Sequence, residues 1–118
     1  MSLNDENMVH INPNTSLYPA IQAWMLYLQD QNKSIYTVKA FEGDLRLLTE
    51  FLPANKPIGM VTTSDLQHFL SWIENGRGKN IPCSPKSLSR RITTVKSFFN
   101  WLFSNGRITT DPAEKIVQ

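Results

Sequence analysis

Ser84-Pro85-Lys86-Ser87-Leu88-Ser89-Arg90-Arg91-Ile92-Thr93-Thr94-Val95-Lys96-Ser97-Phe98-Phe99-Asn100-Trp101-Leu102 decides the fold class. Ser84 is placed to cap a helix, and Pro85 suits the first helical position, where its missing N–H costs nothing. Leu88, Ile92, Val95, Phe99 and Leu102 follow at steps of 4, 3, 4 and 3, which is one helical face. Asn105-Gly106 ends the helix. At about 100° per residue, the face opposite that stripe holds Lys86, Arg90, Thr93, Thr94 and Ser97, with Ser87 at its edge. Arg90 then points outward, about 160° from the stripe's centre, and Arg91 lies on the flank, about 60° from it.

Working outward, three more stretches have the same period. Ser16 caps a helix that tolerates Pro19 in its first turn and carries Leu17, Ile21, Trp24, Met25 and Leu28 on one face. Ser34 caps a second, with Val38, Phe41, Leu45, Leu48 and Leu52 as its stripe. Pro53 stops that helix, because the residue before a proline is pushed out of helical angles. Thr62-Thr63-Ser64-Asp65 is a capping-box start for a third, with Leu66, Phe69, Leu70 and Ile73 as its face and Asn75-Gly76 as its stop. Asp111-Pro112 reads as the cap of a short fifth helix. No segment alternates with a strand's period of two. The expected fold is all-α, a compact four-helix bundle over residues 15–110, preceded by a loose polar tail over 1–14.

The chain has 118 residues, 41% of them apolar and 19% charged, enough for a core and too few charges for disorder. One cysteine excludes a disulfide framework, and two histidines supply metal chemistry poorly. No apolar run is long enough to span a membrane, and no signal peptide precedes the domain, so the cytoplasm is the expected compartment. The net charge of +2 says little, but its distribution says more. All 12 basic residues follow position 30, and between Glu74 and Asp111 there is no acid beside Arg77, Lys79, Lys86, Arg90, Arg91, Lys96 and Arg107. A one-signed stretch of this kind points to an anionic partner.

Catalytic chemistry is missing. There is no Gly-rich phosphate loop, no H-E-x-x-H and no cysteine pair, and Cys83, His68 and His10 read as incidental. No active site, metal site, cofactor or small-molecule substrate is expected. What the chain does carry is the Arg/Ser/Thr face of the Ser84 helix. Its width suits the DNA major groove, and its side chains suit phosphates and base edges. A second, weaker face on the Ser34 helix holds Lys39, Gly43 and Arg46, with Lys33 and Ser34 at the helix mouth. Gly43 would let another surface approach closely.

The chain resembles the N-terminal, SAM-like core-binding domain of tyrosine recombinases of the phage-integrase or Xer type. Ser34-x-x-Thr37-x-x-x-Phe41-x-x-Asp44-Leu45 is similar to the family's S-x-x-T-x-x-x-Y-x-x-D-L, with Phe in place of Tyr. Val61-Thr62-x-x-Asp65-Leu66-x-x-Phe69-Leu70 is similar to its I-T-x-x-D-I-x-x-F-L. Residues 87–102 look like its T-I-x-R-R-L-S-A-L-R-S-F-F-x-W-L, and Gly106-Arg107-Ile108-x-x-Asp111-Pro112-Ala113 like its G-x-I-x-x-N-P-A. The resemblance implies half of a C-shaped clamp on duplex DNA, with the second and fourth helices against the DNA. It implies catalytic residues, including the nucleophilic tyrosine, in a further domain joined through a linker beginning at 111–118, and it implies other recombinase protomers as partners in a synaptic complex. Tyr18, Tyr27 and Tyr36 lie in the wrong domain for that nucleophile. Taken with the basic faces, the expected DNA-binding residues are Lys33, Ser34, Thr37, Lys39, Arg46, Lys86, Ser87, Arg90, Arg91 and Thr94. The alternative is a helical protein-interaction module built on the same fold without DNA binding.

Overall fold

The computed structural model describes residues 10–118. Four helices follow one another: α1 (Leu17–Asp30), α2 (Ile35–Phe51), α3 (Thr63–Glu74) and α4 (Pro85–Ser104). A 3-10 turn, Ile58–Met60, lies between α2 and α3. Among the described residues there is no strand, only an isolated bridge between Ser16 and Pro57. The all-α four-helix expectation holds. α4 is the central element, with α2 against one side and α3 against the other, and α1 closes over α2.

The helix starts follow the capping chemistry of the sequence. The Ser34 hydroxyl accepts from the Tyr36 amide at 3.1 Å, and the Ser84 hydroxyl from the Ser87 amide at 3.1 Å. Thr62 and Asp65 form a full capping box, each side chain accepting from the other's amide at 3.0 Å. Ser16 stands at the cap of α1, but its side chain makes no capping bond. Instead the Leu17 and Tyr18 amides donate to the carbonyls of Lys56 and Ala54, at 2.9 and 3.0 Å. Pro19 has no N–H to satisfy, so the loop after α2 completes the start of α1.

Two boundaries differ from expectation. No fifth helix follows Asp111-Pro112. The Asp111 carboxylate accepts from the Ala113 amide at 2.9 Å, closing a turn that the chain does not propagate. The loose tail placed over 1–14 lies outside the described residues up to position 9, but from Ile11 onward the chain is docked. Ile11 is buried, and the Gly59 amide donates to the Pro13 carbonyl at 2.9 Å. A Cβ on Gly59 would come within 2.7 Å of the Pro13 Cβ, so only glycine admits this contact.

Burial pushes the Asp65 carboxyl up, but the Thr62 amide and the Lys56 ammonium (3.1 Å away) outweigh it and hold the group below its ordinary 3.8. A carboxylate depressed on folding adds stability that is whole above the unfolded value and is lost as pH falls through the folded one. Asp65→Asn is therefore expected to flatten the acid limb of the stability curve. Urea midpoints compared between about pH 5 and about pH 2.5 should fall less steeply in the variant.

Candidate nucleic-acid interface

The seam between α2 and α4 is built on one carboxylate. Asp44, mid-way along α2, is only 1% exposed. Three donors of α4 close on it. Arg90 Nε donates to Oδ2 at 3.1 Å and Arg90 Nη2 to Oδ1 at 2.6 Å, a two-bond fork, while the Thr94 hydroxyl donates to Oδ2 at 2.8 Å. Arg91 Nε lies 3.5 Å from Oδ1, an ion pair without a hydrogen bond, and its Nη1 donates to the Cys83 sulfur at 3.2 Å. Hydrogen bonds to the Asp44 carboxylate hold the Arg90 guanidinium still more firmly protonated than usual. A buried carboxylate demands such partners, because its desolvation is otherwise uncompensated.

This geometry corrects the expected facing of α4. The residues it buries are Thr94, Val95, Phe98, Phe99, Trp101 and Leu102. Their mean direction is rotated by about 70° from the stripe centred on Leu88, Ile92, Val95 and Phe99. Leu88 and Ile92 are only half-buried. The cause is aromatic packing: Phe98 meets Trp24 of α1 at 5.5 Å between ring centroids, and Trp101 meets Tyr27 at 5.4 Å. The rotation carries Thr94 inside, so it cannot reach DNA. Arg90 does not point straight outward but lies at the rim, its side chain 45% exposed. Arg91, its side chain 19% exposed, is turned toward the core side, against the carboxylate of Asp44 on the neighbouring helix.

The remaining expected residues divide. Lys33, Lys39 and Lys86 are exposed, and their side chains have no hydrogen-bond or ion-pair partner among the described residues. Lys33 shares a groove with Phe41 of α2 and Ser97, Asn100 and Ser104 of α4. Arg46 is paired with Glu42 at 3.1 Å and lines a separate groove against Tyr18 and Gln22 of α1. Ser34 is occupied as a cap; Ser87 bonds the Ser84 hydroxyl at 3.1 Å; Thr37 is half-buried. Lys96, counted in the basic stretch, spends its ammonium on the carbonyls of Ala113, Glu114 and Ile116 at 2.9, 3.3 and 2.7 Å. Beside α2, a Cβ on Gly43 would meet nothing within 4 Å, so the helix backbone is open to close approach there.

Asp44 is the residue that sequence reasoning missed. Its signal was present: an acid embedded in an apolar stripe between Phe41 and Leu45, in a chain that elsewhere carries an Arg-Arg pair on a helix. Among the described residues no cluster of His, Cys, Asp and Glu could hold a metal ion, and no helix is long and apolar enough to cross a membrane.

An all-α domain whose two central helices are tied by a buried Asp–Arg fork, with lysines on their outer sides, is the class these features define. Residues 21–106 match the family described as "Phage integrase, N-terminal SAM-like domain", and the chain belongs to that family. It is 32% identical over 97 residues to the tyrosine recombinase XerC of Xanthomonas campestris pv. campestris (strain B100), covering 80% of this chain and 29% of that protein. It is 33% identical over 95 residues to XerC of Oceanobacillus iheyensis, covering 78% and 30%. It is 30% identical over 90 residues to XerD of Listeria monocytogenes serovar 1/2a, covering 74% and 29%. The chain thus spans less than a third of the length of these relatives. No solved structure gives a significant match.

Proposed function

We propose that this chain is the core-binding domain of a tyrosine recombinase, gripping duplex DNA through the outer sides of α2 and α4 and carrying no catalysis itself. The observation that carries the reading is a set of exposed lysines beside two helices that pack against each other: Lys33 just before the cap of α2, Lys39 on α2 and Lys86 on α4, none with a side-chain partner among the described residues. Lysines on flexible stems suit phosphates, which position a duplex without reading its sequence. Arg90, half exposed between α2 and α4, is available beside them. In a parent enzyme the domain would hold one recombination half-site in the cytoplasm while a further domain exchanges strands, alongside other protomers of the synaptic complex.

The three lysines beside the α2/α4 pair predict about three phosphate contacts, so log K against log[salt] should fall with a slope of about −3. Fluorescence anisotropy of a labelled duplex over a salt series measures it. A flat response removes the DNA reading and leaves the protein-interaction bundle. Lys86→Glu and Lys33→Glu should each weaken binding to any duplex. Arg46→Glu, on the α1 side, should act far less.

A further inference from the structure

We propose that Asp44 is a positioning residue for DNA recognition: it holds Arg90 by its Nε/Nη2 edge so that the adjoining end of the guanidinium, Nη1 and Nη2, is presented to a guanine. The inference rests on the DNA-binding reading above and deepens it.

A guanidinium has five N–H donors in a rigid planar fork. In Arg90, Nε and one N–H of Nη2 are spent on the two oxygens of Asp44. Both N–H groups of Nη1 and the second of Nη2 have no partner among the described residues, and the side chain is 45% exposed. The unspent donors therefore lie along the end of the fork, on the rim of the α2/α4 seam. Two adjacent acceptors satisfy such an edge, and guanine presents that pair as O6 and N7 in the major groove. Asp44 is itself fixed, because it is buried and also accepts from Thr94. The plane and direction of Arg90 are thus set before any duplex arrives, and the entropy of ordering a long side chain is spent in folding rather than in binding.

The contrast with the lysines favours base reading over phosphate contact. Lys33, Lys39 and Lys86 are unrestrained, as tolerant phosphate contacts need to be. Arg90 has its charge half-compensated by a carboxylate, which weakens a non-specific pull on phosphate but leaves its donor geometry intact. One turn away on α4, Lys86 and Thr93 are exposed on the same outer side and can seat the helix beside the groove.

The test is selection from a duplex pool with randomised central base pairs, using the wild-type chain, Arg90→Lys and Asp44→Asn, with thermal melts of each. Arg90→Lys keeps the charge and can still pair with Asp44, so it serves as the variant that folds. The wild type should enrich a site with one fixed guanine. Replacing that base by 7-deazaguanine should weaken wild-type binding about 10-fold and Arg90→Lys binding scarcely at all. Asp44→Asn should lose preference at the same position while binding scrambled duplex within about 3-fold of the wild type, an effect that a purely structural Asp44 would not produce. If Arg90→Lys weakens all sequences alike, or Asp44→Asn lowers the melting point but keeps the guanine preference, the proposal is overturned while DNA binding stands. If the wild type retains no duplex at all, both fall.

Discussion

Phe98→Ala is expected to cost about 3–5 kcal/mol of stability, the range for emptying a buried aromatic site. Phe98 is 0% exposed and sits at the crossing of three elements: its ring lies 5.5 Å from Trp24 of α1 and 5.0 Å from Phe99 of its own helix, and Trp24 in turn stacks on Phe41 of α2 at 5.6 Å. Removing the ring leaves a void whose walls are other aromatic side chains, which cannot collapse without moving helices. For a domain of about this size each kcal/mol is worth about 4 °C or more, so the melting temperature should drop by more than about 12 °C. Leu88→Ala is the informative comparison. The spacing of the Ser84 helix puts Leu88 at the heart of the stripe, but the structure leaves it half-buried, and its truncation should cost only about 1–2 kcal/mol. Thermal melts of both variants decide between the two facings of α4: equal losses would favour the facing that the aliphatic spacing suggests.

Asp44→Ala is expected to cost about 3 kcal/mol, the low end for breaking a buried pair, because Arg90 stays half exposed and can be rehydrated. Arg91, 19% exposed, has less access to water and carries most of the penalty. Arg46→Ala, which removes an exposed pair 67% and 47% accessible, should change stability by less than about 0.5 kcal/mol. Chemical denaturation of the two variants separates them. If Asp44→Ala were as silent as Arg46→Ala, the α2/α4 seam would not depend on its carboxylate.

These two sites also show where the sequence was legible and where it was not. Helix positions follow from local chemistry: Ser34, Ser84 and the Thr62/Asp65 box cap helices because the bonds span two or three residues. Facing is different. The apolar period of α4 admits a stripe through Leu88 and Ile92 or one through Phe98 and Trp101, and the choice is made by Trp24 and Tyr27, far away in the chain on α1. Asp44 is the same lesson in a polar residue. Whether an acid in a helix is solvated or buried depends here on Arg90, 46 residues later, and no local pattern encodes that distance. Arg90 and Arg91 look alike in sequence, and Thr93 and Thr94 do too. A rotation of about 70° sends Thr93 to solvent and Thr94 to the carboxylate. The set of free cations shrinks for the same reason, since Lys96 and Arg46 find partners within the fold.

The claim that the outer sides of α2 and α4 form the DNA interface is tested most directly by amide chemical-shift mapping of the chain against a short duplex. The account predicts shifts concentrated at residues 33–40 and 84–93, with side-chain signals of Arg90 moving and those of Arg46 still. Shifts confined to other surfaces, or none at a duplex concentration that saturates binding, would contradict it.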